Sequence, residues 1–412
     1  MDINRLPSFS PDNLLDDTEL DALSLFLAKK LMDKIEFINR GREGITVELL
    51  KLRASSHVRS LIKESGREDA DPGQARVICV DNYNIRPAVA GEALEISRCA
   101  HSTYGYTYED YIYYPERITE MNRNKELISL VAVSNEGIVM GHCALKFAPG
   151  RKDRAELGVL FVNPKFRENR LGGKLWKAVV DLAREKELDS IFSRSVTGHA
   201  ASQLIAEQNG FSDCALFLDL FPEEVNLKHM GGLQKGKMSG MFQWRYLKTP
   251  RKRRIELPDP YVGIVSQIYE RAGVNIKCHT VTKKVSNTPI LRIQRVPVLN
   301  VGILEIESSG SDAEAVASWV LLNCRRLCSE RLDVIYLYIN IEEMGAALIA
   351  EKAANNGFIF SGISPDAFAG GDAIVLQYLN FTQDPFETMT VWTDTAAILL
   401  DFIQKEWRQN EI

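Results

Sequence analysis

The residues of this chain best suited to chemistry lie between positions 156 and 175. An apolar run over 156–162 predicts a strand, Pro164 ends it, and a basic turn that contains Arg167 follows. An amphipathic helix is expected to begin at Leu171. A turn that leads into a helix N-terminus directs unpaired backbone N–H groups and the positive end of the helix dipole at one point. The stretch therefore predicts an anion site, and a phosphate-bearing cofactor is the first ligand to expect.

An α/β pattern surrounds this stretch and would position it. Strands and helices alternate, and each apolar run is bounded by glycine, proline or polar residues. The predicted strands are 77–80, 128–133, 137–147, 156–162, 190–196, 214–221 and 241–247. The predicted helices are 90–99, 171–185 and 200–209.

Three segments divide the chain. Residues 1–76 carry helical patterning over 20–38 and 47–62, which predicts a helical N-terminal extension that ends in a polar linker. The α/β unit occupies 77–250, and a second unit is expected over 251–412. The length of 412 residues and the 45% hydrophobic content allow more than one core.

The basic run 248–254 marks the boundary between the second and third segments. A solvated linker between domains is the commoner explanation of such a run, and nucleic-acid binding is the alternative. Across the whole chain 50 basic side chains face 55 acidic ones, a net charge of −5. No global basic field therefore favours nucleic acid or an anionic membrane.

An internal repeat supports a second α/β unit. L-D-S-I-F at 188–192 is echoed by L-D-V-I-Y at 332–336, and E-Q-N-G-F at 207–211 by A-N-N-G-F at 354–358. A weaker third match joins F-Q-W-R-Y at 242–246 to L-Q-Y-L at 376–379. Three matches in the same order predict a tandem pair of related domains.

The cysteines and the termini bear on the compartment. Seven cysteines without a C-x-x-C pair are typical of reduced thiols. Cys324 and Cys328 can share a helix face, but no histidine lies nearby, so buried thiols are favoured over a metal site. The first residues show no signal peptide, and no apolar run approaches the ~20 residues of a membrane helix. We expect a cytoplasmic protein without a metal or a membrane partner.

The segment 162–175 reads V-x-P-x-F-R-x-x-x-x-G-x-x-L and resembles the acyl-CoA-binding motif of the GNAT acetyltransferase superfamily. The resemblance extends over about residues 77–250 and includes N-G-F at 209–211. It implies an α+β GNAT fold, acetyl-CoA as cofactor, a turn whose amides hold the pyrophosphate, and a strand edge that binds pantetheine. The residues it assigns to the cofactor are Phe161, Val162, Arg167, Arg170, Leu171, Gly172 and Gly173.

Arg170 departs from the family pattern, which has a glycine there. Glycine lets backbone approach phosphate, whereas a side chain costs ~1–2 kcal/mol if the backbone is left-handed. Alternatively, the Arg170 guanidinium turns outward and donates to a CoA phosphate.

A tyrosine-rich signature at 104–114 resembles one found in a subgroup of the family, where it lines the acceptor side of the cleft. It implies that Tyr104, Tyr106 and Tyr108 shape a substrate pocket. The structural alternative is that these rings cap a core and keep their hydroxyls in water. T-x-H-x-x-S-Q at 197–203 resembles a second motif of the same subgroup.

Acetyl transfer to an amine needs a group that accepts the proton of the amine, because an amine with a pKa of ~10.4 is mostly charged near neutrality. Glu156 matches a position where many GNAT enzymes carry such a glutamate, although a structural carboxylate is the alternative. The family's usual acid, a tyrosine, is replaced here by Ala206. His199 or a tyrosine of the 104–114 cluster could protonate the leaving thiolate instead.

The turn at 305–312 in the second unit is acidic and lacks the cofactor motif, so we expect that unit to be a degenerate GNAT-like domain. Together the observations predict two related mixed-sheet GNAT-like domains after a helical extension. The predicted function is N-acetyltransfer from acetyl-CoA to an amine, on a small molecule or a protein lysine, by direct attack; a homodimer is compatible with the sequence. The alternative is a non-catalytic module that senses acyl-CoA or binds other proteins.

Overall fold

The computed structural model describes nine stretches of the chain. They are residues 34–39, 45–50, 82–105, 107–222, 236–278, 288–369, 371–380, 384–387 and 389–410. The predicted strand 77–80 and Tyr106 lie outside the described residues.

The described part of the N-terminal extension is a β-hairpin. Strand β1 (Lys34–Asn39) pairs antiparallel with β2 (Ile45–Leu50). The helical prediction is therefore wrong for these residues. Both stretches contain β-branched residues, Ile35 and Ile38 in the first and Ile45, Thr46 and Val47 in the second, and such residues suit a pleated strand better than a helix. The rest of 1–76 lies outside the described residues.

From residue 90 onward the first α/β unit contains the elements that the sequence predicts, and the unit has two more. In chain order they are β3 (Tyr83–Pro87), α1 (Ala93–Tyr104), α2 (Pro115–Arg123), β4 (Leu127–Ser134), β5 (Val139–Lys146), β6 (Arg154–Val162), α3 (Leu171–Glu185), β7 (Ser190–Val196), α4 (Ala201–Gln208), β8 (Ser212–Phe221) and β9 (Met238–Tyr246). The bounds of α3 and β7 agree with the prediction residue for residue. Strand β3 and helix α2 were not predicted. Helix α2 is only nine residues long and begins at a proline in the first turn, a position that suits proline.

The rest of the chain adds a second set of strands and helices. In chain order they are β10 (Arg253–Ile255), α5 (Asp259–Arg271), β11 (Ile276–Cys278), β12 (Ile290–Val296), β13 (Val301–Ser308), α6 (Ala313–Ser329), β14 (Val334–Asn340), α7 (Ala346–Ala354), β15 (Ile359–Phe368), β16 (Gly371–Leu379) and α8 (Asp394–Asn410). Strands β10 and β11 form a small parallel sheet of their own.

Within the described residues, twelve strands form one sheet in the order β12-β13-β14-β16-β15-β8-β9-β7-β6-β5-β4-β3. The strands β5 to β9 and the strands β12 to β16 are joined in the same way. In each set the first pair is antiparallel, the second is parallel, and the last two are antiparallel. The second half of the sheet therefore repeats the connectivity of the first.

The third sequence match connects the corresponding strands, β9 and β16, but is one residue out of register. Phe192 lies opposite Trp244, whereas its counterpart Tyr336 lies opposite Gln377. The sequence match instead aligns Gln377 with Gln243. Short matches in strands are prone to such shifts, because the residues that fix the register lie on the partner strand.

Helices cover both faces of the first unit. Helices α1 and α2 pack on one face of β4–β6, against residues such as Val131, Val159 and Phe161. Helix α3 packs on the other face, against Leu130, Leu157 and their neighbours. One face of β6 is thus covered by α1 and α2, and the other by α3.

The two halves meet where β8 lies beside β15. Gly362 is in register with Ala215, and buried side chains bridge the two strands. The Ser361 hydroxyl donates to the carbonyl of Leu216 over 2.9 Å, and the Tyr336 hydroxyl donates to the carbonyl of Leu218 over 2.7 Å. Backbone groups that a short ladder leaves unpaired are satisfied in this way.

The basic run 248–254 also ties the halves together. Arg253 is only 2% exposed and its guanidinium contacts Glu342, Asp366 and Asp372. Arg251 pairs with Glu342 over 2.6 Å. Arg253 is therefore neutralised inside the protein and Arg251 is neutralised at its surface, which disfavours the nucleic-acid alternative.

We expect Gly362→Ala to destabilise the chain by about 3 kcal/mol or more. Gly362 has φ +145°, and a Cβ there would lie 2.2 Å from the Cys214 carbonyl oxygen and 2.4 Å from the Ala215 Cα. Urea denaturation would measure the loss. Gly91→Ala is the matched control, because a Cβ at Gly91 meets nothing within 4 Å. Equal stability of the two variants would contradict the close approach of β8 and β15.

Candidate functional site

A β-bulge in β6 creates the cleft at the centre of the candidate site. Val159 has φ +55°, and the pairing with β5 shifts between His142 and Ala144. The bulge changes the alternation of the strand, so that Leu157 faces α3 whereas Val159 faces α1. Only residues Arg154–Glu156 pair with β7. Beyond Glu156 the parallel strands diverge, and the edge of β6 is left open to a ligand.

Buried His142 holds the bulge in place. Its Nδ1 lies 2.8 Å from the carbonyl oxygen of Val159, and its Nε2 lies 2.9 Å from the Ser129 hydroxyl. The ring also stacks on Phe161 at 5.0 Å. Burial lowers the pKa of His142 to about 4, so the imidazole is neutral at pH 7. Sequence reasoning missed this residue, because a histidine within an apolar strand gives no signal of the carbonyl that it contacts.

The N-terminus of α3 points at the open end of this cleft. Leu171 is fully buried and anchors the first turn, and Gly172 faces Leu160 of β6 and Ile205 of α4. A Cβ at Gly173 would meet nothing within 4 Å. Helix geometry leaves the first N–H groups of α3 without partners in the helix. They form an anion site beside the strand edge.

Arg170 is the N-cap of α3 and is left-handed, with φ 51° and ψ 29°. In this left-handed conformation the Cβ of Arg170 carries the steric cost that a glycine would avoid. The side chain is exposed, so its guanidinium is accessible to solvent.

Tyr104 and Arg167 lie at the same edge of β6. The Tyr104 hydroxyl donates to the Leu160 carbonyl over 3.3 Å, and burial raises the pKa of Tyr104 to about 12. Partial burial lowers the pKa of Arg167, and its charge interacts with Tyr104. Tyr104 stacks on Tyr108 at 4.5 Å, and both rings meet the edge of Phe161. The aromatic cluster therefore packs as a structural unit and also reaches the cleft.

Glu156 lies at the apex of the divergence, opposite Phe192. Both of its carboxylate oxygens accept hydrogen bonds from Nη1 of Arg194, each over 3.1 Å. The Glu156 charge is the main reason that the pKa of Arg194 is raised. Two tyrosines of the preceding loop, Tyr108 and Tyr111, also interact with the Glu156 charge. The predicted base therefore lies in a polar, partly open pocket.

His199 and Ala206 lie on or near α4. The His199 Nδ1 accepts from the backbone N–H of Ala201 over 3.3 Å, as a helix-capping side chain does, and burial lowers the pKa of His199. Ala206 is fully buried in the core beside Phe211. His199 lies beyond the end of β7, whereas Glu156 lies opposite Phe192; the intervening strand to Val196 spans about 13 Å.

The motif at 197–203 binds a segment of the second half. Gln203 is 1% exposed, donates to the Thr390 carbonyl over 2.8 Å, and accepts from the Trp392 backbone N–H over 3.1 Å. The Thr390 N–H donates to the Thr197 carbonyl over 2.6 Å. The motif therefore fixes α4, one wall of the cleft, to the second half of the chain.

Within the described residues, the parallel strands of the second half do not diverge as β6 and β7 do. The pairing of β12 with β13 shifts between Ile290 and Leu291, but β13 pairs with β14 over six residues, Val301–Ile306, and none of the described non-glycine residues with positive φ falls in β13. Glu305 and Glu307 both pair with Arg292 on β12. The parallel pair stays closed and carries carboxylates where the first half opens beside an anion site.

Comparison with known families decides the nature of the first unit. Residues 93–211 match the profile of the acetyltransferase (GNAT) family, from the first residue of α1 to the residue before β8. The chain therefore contains a GNAT acetyltransferase domain. Acetyl-CoA is the cosubstrate of this family. The GNAT match includes the bulge, the N-terminus of α3 and Glu156, and thus every part of the cleft described above.

Solved structures resemble about two-fifths of the chain. The yncA protein of Salmonella typhimurium, solved with its cofactor acetyl-CoA, is 18% identical over 42% of this chain and 97% of its own, with a TM-score of 0.34. The ribosomal-protein-S18-alanine N-acetyltransferase of Escherichia coli is 12% identical over 41% and 97%, with a TM-score of 0.34. Ribosomal-protein-alanine N-acetyltransferase of Brucella melitensis is 20% identical over 40% and 99%, with a TM-score of 0.33. No curated protein matches the chain.

In the described stretches, no group of three or more His, Cys, Asp or Glu side chains could hold a metal ion. Nor does that part of the chain contain a helix long and apolar enough to cross a bilayer. Cys324 and Cys328 contact each other on α6 without a disulfide.

We expect Arg170→Gly to stabilise the chain by about 1 kcal/mol, because glycine adopts the left-handed conformation without a Cβ penalty. Urea denaturation measures the gain. Arg170→Ala removes the same guanidinium but keeps the Cβ, and it should give no comparable gain. Equal stability of the two variants would contradict the strain at this cap.

We expect the contribution of His142 to stability to be lost as the pH falls from about 6.5 to about 4. The unfolded chain binds a proton below the ordinary pKa of 6.5, whereas the folded chain binds it only near 4. The full loss is on the order of 3 kcal/mol.

Unfolding free energies at pH 7 and pH 4.5 measure this loss. His142→Gln should be less stable at pH 7 but lose less stability on acidification than the wild type. Ser129→Ala removes the hydrogen bond to Nε2 without removing the titrating ring, and it should keep the pH dependence. An unchanged pH dependence in His142→Gln would contradict a neutral, buried imidazole.

Proposed function

We propose that the chain is an N-acetyltransferase that transfers the acetyl group of acetyl-CoA to an amine. The observation that carries the proposal is the divergence of β6 from β7 after Glu156, beside the N-terminus of α3. It leaves a strand edge for an extended amide-containing arm and a set of backbone donors for a pyrophosphate.

The cofactor would lie along that edge. Phe161 and Val162 border the pantetheine arm, and Leu171, Gly172 and Gly173 supply N–H donors to the pyrophosphate. Arg167 and the exposed Arg170 supply positive charge to the phosphates. These roles fit the chemistry of the groups that the divergence brings together.

The reaction would proceed by direct attack. The neutral amine attacks the thioester carbonyl, the C–S bond breaks, and the amine proton passes to Glu156 directly or through a water molecule. Arg194 holds the Glu156 carboxylate in position. The CoA thiolate then takes a proton from His199 or from Tyr104, which is protonated at pH 7.

The remaining parts of the chain are assigned as follows. Residues 77–250 form the catalytic GNAT domain, 251–412 a degenerate GNAT-like domain, and 1–76 an extension that contains a hairpin. Tyr104 and Tyr108 would line the acceptor side, and the same role is proposed for Tyr106 from the sequence signature alone. We expect the protein in the cytoplasm, where the six described cysteines, which form no disulfide, would stay reduced.

The proposal is tested with the purified chain, acetyl-CoA and a panel of amines. We expect Glu156→Gln to lower the turnover by 10²- to 10⁴-fold, a range typical of a lost general base, and to leave acetyl-CoA affinity unchanged in calorimetric titration. Glu185→Gln, on the exposed end of α3, is the control and should keep full activity.

Two further variants identify the group that protonates the CoA thiolate. We expect one of them, Tyr104→Phe or His199→Gln, to lower the rate of thiolate release without weakening cofactor binding, and the affected residue is the proton donor. Binding of acetyl-CoA with no turnover on any amine would instead favour a non-catalytic acyl-CoA sensor. No binding in the wild type and recovery in Arg170→Gly would show that the left-handed arginine closes the cofactor site.

A further inference from the structure

Arg194 has hydrogen-bonding capacity that its pairing with Glu156 does not use. It lies on β7 two residues beyond Phe192, the last residue paired with β6, and so at the apex of the cleft. Only Nη1 donates to Glu156, and the side chain is 42% exposed. Within the described residues, Nη2 and Nε have no hydrogen-bond acceptor. A planar guanidinium with an unused edge is suited to bind a carboxylate with two parallel hydrogen bonds.

Aromatic rings connect Arg194 to the second half of the chain. Its guanidinium lies over the Phe192 ring at 5.5 Å, and Phe242 is directly opposite Arg194 in the β7–β9 ladder. The Phe242 ring is 6.0 Å from Phe217, which lies 6.4 Å from Tyr338. Tyr338 occupies on β14 the position that Arg194 occupies on β7. The repeated strands thus place these two side chains on the same face of the sheet.

Tyr338 supplies a neutral hydroxyl donor on the same face of the sheet as Arg194. Burial raises the pKa of Tyr338 to about 12, and the Arg194 charge opposes that rise, so the two groups interact. No hydrogen bond to this hydroxyl occurs within the described part of the chain. The side chain is half-buried.

The other charges near this region are already paired. Glu109 pairs with Lys146, and Glu305 and Glu307 both pair with Arg292. Glu156 and Arg194 are paired with each other through Nη1 alone, so they present one negative and one positive group side by side while the rest of the guanidinium stays available. That arrangement complements a molecule that carries an amino group and a carboxylate on neighbouring atoms.

From this geometry we infer that the acceptor is an amine that also carries a carboxylate, an amino acid or a close analogue. Its carboxylate is held by Arg194 and the Tyr338 hydroxyl, and its amino group faces Glu156. The inference rests on the proposed acetyltransferase function and adds to it the substrate class. It also gives the second half of the chain a role in substrate binding.

The test compares acceptors that differ only in the carboxylate, with the full chain and acetyl-CoA. Suitable pairs are phenylalanine and phenethylamine, tyrosine and tyramine, and leucine and isopentylamine. We expect kcat/KM to favour the amino acid of at least one pair by on the order of 10- to 100-fold, as for a charge-assisted hydrogen-bonded pair. Arg194→Gln should abolish this preference, and Tyr338→Phe should reduce it.

Arg292→Gln is the matched control, since Arg292 is another exposed arginine that pairs with carboxylates on the same sheet. It should keep the preference. Equal kcat/KM values for the amino acid and the matched amine would overturn the inference. So would an Arg194→Gln variant in which kcat/KM falls by the same factor for both and the preference is unchanged; Arg194 would then be a partner of Glu156 alone.

Failure of the proposed function would look different. In that case calorimetry would detect no acetyl-CoA binding, or no amine of any kind would be acetylated. Binding of acetyl-CoA with transfer only to amines that lack a carboxylate would overturn the inference and leave the proposed function intact.

Discussion

The site depends on the contact between His142 and the carbonyl of Val159. A β-branched residue at positive φ is unfavourable in a strand, so the bulge persists only if its surroundings hold it. Buried His142 stabilises the bulge by contacting the carbonyl of Val159, and the Ser129 hydroxyl fixes the orientation of the imidazole ring. The consequence is that β6 leaves β7 after Glu156. The divergence opens the edge of β6 for the cofactor and leaves the anion site at the N-terminus of α3 and the Glu156 carboxylate beside it.

The second half has the same connectivity and a register shift of its own, between Ile290 and Leu291 in the pairing of β12 with β13, but its parallel pair does not diverge. Strands β13 and β14 stay paired over six residues, and their carboxylates pair with Arg292. The second half contributes instead through its contacts with the first half. The β8–β15 junction, the ion pairs of Arg253 and the bonds from Gln203 to 390–392 hold the two halves together. Tyr338 extends the same face of the sheet towards Arg194.

Sequence reasoning predicted the elements around the cofactor motif because their signals are local. The proline and glycine boundaries and the amphipathic period of α3 gave its limits residue for residue. The bulge, the junction and the role of Gln203 could not be predicted, since each depends on a partner distant in sequence. The role of Arg194 could not be predicted from the sequence, because an arginine in a strand is usually a solvated side chain. The strands 34–39 and 45–50 were in large part wrongly predicted as helical, because short apolar runs fit both helical and strand periods.

Hydrogen–deuterium exchange with and without acetyl-CoA tests the central claim most directly. The account predicts slower exchange on binding in two regions, the open strand edge at 157–162 and the helix N-terminus at 171–175. The equivalent regions of the second half, 304–309 and 313–317, serve as an internal control and should not change. Equal protection in both halves, or protection that misses 157–162 and 171–175, would contradict the view that the bulge in β6 creates the cofactor site.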